Sequence, residues 1–231
     1  LVGKRIKPVR DAEGWITSYN DIPVMKIKDL KKASPGSNHL IVNLKGCNGS
    51  GKSTIPKMMI EEEESLFLLT RNKEDKKPVA TFCPTFNTVI IGTYFTACGG
   101  CDTLIPSEVQ HIIAKLWLKD VNILFEGVIV GDIKSTFYEL MKEFRGQAPR
   151  DVHFCFMGTP FKECLKRIQK RNGGKEIKTE LVRQKYKNSV SQLRYYLEQG
   201  DVGVWVLPTD GSRTRVYERF KAHYTAFYPV F

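Results

Sequence analysis

Two kinds of run alternate along the chain. Short, nearly continuous apolar stretches read as strands covered on both faces. Longer stretches with apolar residues every three or four positions read as the helices that cover them. The strand-like runs are His39–Leu44, Leu66–Thr70, Val79–Cys83, Thr88–Tyr94, Val121–Phe125, Asp151–Met157 and Val202–Leu207. Helical stretches begin at about Lys52 and run from Pro106 to about Lys119, where Val109, Ile112, Ile113, Leu116 and Trp117 share one face. Another follows Gly131-Asp132 and ends near Phe144. Further helices start at Pro160 and cover Thr179–Gln199 and about Arg213–Phe227. The charged segment Arg71–Lys77 predicts a hairpin between the second and third strands. Ile22–Leu30 reads as a short strand or as a docking segment. This alternation implies an α/β sandwich of three layers around a mostly parallel sheet, with any ligand at the carboxyl ends of the strands.

Between the first of these strands and its helix lies Gly46-Cys47-Asn48-Gly49-Ser50-Gly51-Lys52-Ser53-Thr54. It matches G-x-x-x-x-G-K-S at every fixed position, in the strand–loop–helix setting that a phosphate-binding P-loop requires. The glycines let successive backbone N–H groups turn inward onto phosphate oxygens, and the helix N-terminus behind them adds positive potential. The residues from Gly46 to Thr54 are therefore the expected nucleotide cradle: Gly46, Asn48, Gly49, Ser50, Gly51, Lys52, Ser53 and Thr54. Lys52 is expected to reach the β- and γ-phosphates of ATP, and the Ser53 hydroxyl to ligate Mg²⁺. Pro56 falls in the first helical turn, where its missing N–H matters least.

Composition narrows the partner. The chain has 231 residues, 42% of them hydrophobic, which suits one domain with a small extension. Residues 1–38 read as a basic extension and 39–231 as the P-loop domain, with a lid near 165–190. No apolar run is long enough for a membrane helix and the basic start lacks a signal-peptide core, so a soluble, cytoplasmic protein is expected. The net charge of +11 favours a polyanionic substrate such as DNA over a small molecule. Lys26, Lys28, Lys31 and Lys32 form one cluster, read as a solvated face or a nucleic-acid contact. The six cysteines, several within apolar strands, suggest reduced buried thiols. Cys98-Gly-Gly-Cys101 has no matching second pair for a zinc site.

Several carboxylates and arginines are placed where phosphoryl transfer would need them. The strand Val121–Phe125 ends in Glu126, a Walker B-like position beside the P-loop and a candidate metal ligand together with Ser53. Asp102 lies in the glycine loop after Thr88–Tyr94. Either Asp102 or Glu126 would orient or deprotonate the acceptor hydroxyl, and Asp102 is favoured. The plainer reading of Asp102 is a helix-capping carboxylate. Arg167 and Arg171 precede a break at Asn172-Gly-Gly-Lys175 and suggest a basic helical lid near residues 165–190, able to swing over the γ-phosphate. In Thr179–Gln199, Arg183, Lys185, Lys187 and Arg194 are interleaved with Tyr186, Tyr195 and Tyr196, which suits a nucleic-acid surface, although the tyrosines would also serve as core.

The P-loop, the Phe-Glu-Gly127 strand end, the Arg-x-x-x-Arg lid and the last strand before Pro208-Thr-Asp210 resemble P-loop kinases of the nucleoside- and nucleotide-kinase type over residues 39–228. Gly92-Thr-Tyr94 with Gly99-Gly-Cys-Asp-Thr-Leu104, followed by Ile-Leu-Phe-Glu-Gly127, resembles bacteriophage 5-hydroxymethyluracil DNA kinases. That resemblance implies transfer of the ATP γ-phosphate to the base hydroxymethyl group within phage DNA, in the infected bacterial cell. The chain departs from the common pattern in ending its Walker B-like strand with glutamate rather than aspartate. The rival activities are a polynucleotide 5′-hydroxyl kinase, a free nucleoside or nucleotide kinase, and a P-loop ATPase that uses ATP as a switch.

Overall fold

A computed structural model describes residues 7–34, 37–72, 74–75, 77–94, 100–127, 134–145 and 150–228. Ten strands form one sheet: β1 (Pro8–Arg10), β2 (Ile16–Tyr19), β3 (Ile22–Lys26), β4 (His39–Lys45), β5 (Phe67–Thr70), β6 (Ala80–Cys83), β7 (Thr88–Ile91), β8 (Asn122–Glu126), β9 (Arg150–Met157) and β10 (Gly203–Leu207). Their order across the sheet is β1-β2-β3-β5-β6-β7-β8-β4-β9-β10. From β7 to β10 every neighbouring pair is parallel. Only β2 and β6 run against the rest.

The six described α-helices are α1 (Thr54–Glu62), α2 (Pro106–Trp117), α3 (Lys134–Arg145), α4 (Phe161–Arg171), α5 (Thr179–Gln199) and α6 (Arg213–Phe227). They cover both faces, and the two-residue period of a strand decides which. Leu40, Val42 and Leu44 of β4 point to the face packed by Ile55 and Met59 of α1 and Phe220 and Tyr224 of α6. Ile41 points to the opposite face, with Ile112 and Trp117 of α2, Phe137 and Met141 of α3 and Tyr196 of α5. All seven residues of β4 are buried, as its apolar run predicts for a strand covered on both sides. The three-layer sandwich is therefore the observed architecture.

The helix after the P-loop starts at Thr54 rather than about Lys52, because the loop keeps its turns to the end. The strand expected over Thr88–Tyr94 stops at Ile91. Gly92 there has φ +93°, and the chain folds back so that the Gly100 N–H donates to the Thr93 carbonyl at 2.9 Å. Ahead of β4, the segment read as a basic extension carries three strands, and β3 is parallel to β5 with Val24 opposite Leu68. Ile22–Leu30 is a strand as far as Lys26, followed by a short 3₁₀ turn at Ile27–Asp29. No helix among the described residues is long and apolar enough to cross a membrane.

Candidate active site

The parallel register places Leu44 opposite Glu126, so the P-loop leaves β4 beside the carboxyl end of β8. The loop then turns under α4. A Cβ on Gly49, at φ +77°, would collide with the Cys164 carbonyl of α4, so glycine alone fits this close approach. Lys52 is folded over the loop and donates from Nζ to the carbonyls of Gly46 at 2.6 Å and Cys47 at 3.1 Å. Thr159, just after β9, donates its hydroxyl to the Ser50 carbonyl at 2.6 Å and pairs with the Thr209 hydroxyl at 2.6 Å. These buried threonines tie the loop to the ends of two neighbouring strands.

Glu126 is 2% exposed. Its Oε1 accepts from the Ser53 hydroxyl at 2.9 Å and from the Tyr94 hydroxyl at 3.4 Å. Burial pushes its carboxyl above the ordinary value. Lys52 and the hydrogen bond from Ser53 pull the other way, and the charge of Asp102 adds to the rise. Burial and the Glu126 charge push the fully buried Tyr94 hydroxyl well up, so it is a neutral donor. A Cβ on Gly100 would collide with the Glu126 carboxylate, so the fold-back at Gly92 and Gly100 is what brings the two acidic segments together.

Asp102 lies on a 3₁₀ turn, Cys101–Thr103, beside Gly127. Capping of α2 is done by another residue: the Glu108 carboxylate accepts from the Ile105 N–H at 3.1 Å. On the other wall, Arg167 donates from Nε to Glu163 at 3.0 Å and from its guanidinium to the Thr209 carbonyl at 3.3 Å. Arg171 is exposed one turn further along α4.

One cavity of about 360 Å³ gathers these groups. Its lining includes Asn48, Gly49, Ser50, Gly51, Lys52, Ser53 and Thr54 together with Asp102, Glu126, Arg167 and Arg171. Gly46 lies outside that lining, behind the loop, where its carbonyl holds Lys52. A second cavity of about 360 Å³ adjoins it through Ser50, Gly51 and Arg167 and extends to Thr209, Gly211 and Arg213. Asp132 and Cys98 lie outside the described residues. Three partners escaped the sequence reading: Tyr94, Thr159, and Lys45, whose buried Nζ donates to Gln192 of α5 at 2.9 Å under the rings of Phe154 and Tyr196. Lys45 was legible only as a polar residue at the end of an otherwise apolar run.

A family model described as 5-hmdU DNA kinase matches residues 23–198, from β3 through most of α5. The chain belongs to the 5-hmdU DNA kinase family. Three curated relatives carry the same description. The protein of Bacillus phage SP10 is 38% identical over 135 residues, covering 57% of this chain and 21% of its own length. That of Salmonella phage ViI, 5-hmdU DNA kinase 1, is 31% identical over 150 residues, covering 62% of this chain and 64% of its own. That of Pseudomonas phage M6 is 32% identical over 154 residues, covering 63% of this chain and 79% of its own. The chain thus spans about a fifth of the first and under two thirds of the second. The part of the chain that carries the P-loop, Asp102, Glu126 and the arginines of α4 falls within the 5-hmdU DNA kinase match.

Proposed function

We propose that this chain is a kinase that transfers the γ-phosphate of ATP to the hydroxymethyl group of 5-hydroxymethyluracil in phage DNA. The observation that carries the reading is the single cavity in which a P-loop lysine, two carboxylates and two arginines converge, in a member of the 5-hmdU DNA kinase family.

In this reading the amides from Asn48 to Thr54 hold the phosphates, and Lys52 leaves its loop carbonyls to bind the β- and γ-phosphate oxygens. The adjoining cavity between Arg167 and Arg213 has room for the nucleotide base. Ser53 and Glu126 fit a magnesium ion, because both offer oxygens at the mouth of the loop and are already 2.9 Å apart. Such an ion would supply neutralising charge to the phosphates. Asp102 accepts the proton of the acceptor hydroxyl as its oxygen attacks the γ-phosphorus and the bond to ADP breaks. Arg171 and Arg167 then face the charge spread over the transferring phosphoryl oxygens. An acceptor base in duplex DNA has to leave the stack to reach Asp102. The reaction belongs in the infected bacterial cell, where the phage DNA is.

The test is incubation with γ-labelled ATP, Mg²⁺ and DNA with or without 5-hydroxymethyluracil, followed by digestion to nucleosides. Label on the modified base, absent from thymine DNA, is the expected result. Label only at 5′ ends would replace this reading with an end kinase. Turnover of free nucleosides alone would remove DNA from it.

A further inference from the structure

The charge of the molecule is concentrated in one helical hairpin. Residues 161–199 carry eleven lysines and arginines against four glutamates, a net of +7 out of +11 for the whole chain. The two helices, α4 and α5, are joined by a small apolar seam of Cys164, Ile168 and Val182 and by Phe161 against Tyr186. Most of their basic residues are exposed, whereas Arg183 lies over the Phe161 ring of the seam at 5.1 Å.

Several basic residues are ion-paired, Arg167 with Glu163 and Arg183 with Glu180 within the hairpin itself. On α6, Arg213 pairs with Glu61, Arg219 with Asp210 and Lys221 with Glu62. In the N-terminal cluster Lys31 pairs with Asp120. On α5, Lys187 and Arg194 are exposed and have no ion-pair partner among the described residues. Seven positions apart, they share one face of the helix at a separation of about 10 Å along its axis.

Between them runs a groove of about 600 Å³, lined by Tyr186, Lys187, Val190, Arg194, Tyr195 and Glu198. Tyr195 meets Tyr138 of α3 edge-on, so the groove follows the side of α5 that faces α3. In the chain, the N-terminus of α5 follows the break at residues 172–178, which itself follows Arg171 of the cleft. Half-buried tyrosines beside free cations are the equipment of a single-strand track: ring faces for bases, cations for phosphates.

We infer that this face of α5 holds the single-stranded DNA flank of the target base, outside the phosphate-transfer site. The inference rests on DNA being the substrate, as argued above. Lys187 and Arg194 each meet one backbone phosphate.

The double variant Lys187→Gln/Arg194→Gln tests it, since both side chains are exposed and neither lines the cleft. Binding of a 30-nucleotide single strand of ordinary thymine DNA is followed by fluorescence anisotropy across a salt series. Each phosphate contact contributes a slope of about 0.7 in log K against log salt, so the variant should lose about 1.4. That is a Kd raised about 25-fold at 0.1 M salt, with the difference closing near 1 M. In parallel, label transfer is compared on a long single strand and on a trinucleotide, both containing 5-hydroxymethyluracil. KM for the long strand should rise while the trinucleotide is phosphorylated as by the wild type. Equal Kd and slope in wild type and variant, or no DNA binding by either, overturns the track. Salt-dependent binding lost in the variant, with no label transferred by the wild type, keeps the track and overturns the kinase reading instead.

Discussion

The two walls of the cleft are built on opposite plans. On the sheet wall, Lys52 and Glu126 are buried, and each is already bonded to a neighbour on the loop or on β7–β8. On the α4 wall, Arg171 is exposed and Arg167 leans on Glu163 of its own helix. The first wall is held by the packing of the whole sheet, so in the proposed reaction its charges would meet the substrate as a fixed, preorganised array. The second is a helix on a small seam of four buried side chains. Substitutions on the first wall should act on chemistry and stability together, whereas substitution of the exposed Arg171 on the second should act on chemistry alone.

The largest effect is expected at Lys52. Lys52→Met should lower single-turnover label transfer by about 10⁴-fold, since the role proposed for Lys52 is to hold the phosphates themselves. Asp102→Asn should lower it by about 10³-fold with ATP binding retained, measured as nucleotide affinity beside the rate. If Asp102→Asn kept its rate while Glu126→Gln lost it, the proton acceptor would be Glu126. Arg171→Ala should cost about 10²-fold in kcat and leave the melting temperature where it was, because that side chain is exposed and has no hydrogen bond or ion pair among the described residues. A fall in Tm with Arg171→Ala would erase the distinction between the walls.

The smallest effect concerns stability. Burial raises the Glu126 carboxyl above its ordinary 4.5, so over that interval the folded protein keeps a proton that the unfolded chain has released. Stability is then fully present below the ordinary value and declines as pH rises through the raised one. Glu126→Gln removes the penalty while keeping an oxygen for Ser53 and Tyr94. Its Tm should exceed that of the wild type by about 3 °C at pH 8, and the gap should close below pH 4.5, as read by calorimetry across pH. A Tm lower than the wild type at pH 8 would mean that the charge itself holds the sheet wall together.

Much of this arrangement was legible in residue patterns. The P-loop, the run ending at Glu126 and the glycine break after Arg171 are local signals, and α5 and α6 have the bounds that their periodicity predicts. Strands paired far along the chain were harder. β1 and β2 are only three and four residues long, and β1 is exposed from Pro8 to Arg10, which leaves no alternation to detect there. Tyr94 lies in a motif that the sequence marks, yet its bond to Glu126 depends on the fold-back at Gly92, which links segments that a periodic reading treats separately. Thr159 and Lys45 act through partners about 110 and 147 positions away, a separation that leaves no mark in either local stretch.

The pairing of β3 with β5 also bears on how this protein keeps to itself. Leu68, Leu69 and Thr70 of β5 are buried in a strand whose outer side is closed only by the N-terminal segment. Cutting the chain just before His39, where the P-loop domain begins in sequence, would leave that side as a bare, largely uncharged row of amides and carbonyls, open to a second molecule doing the same. The first strands therefore act as a built-in guard against self-association, and their short, charged, bulged outer member β1 is the kind of strand to which another sheet adds poorly.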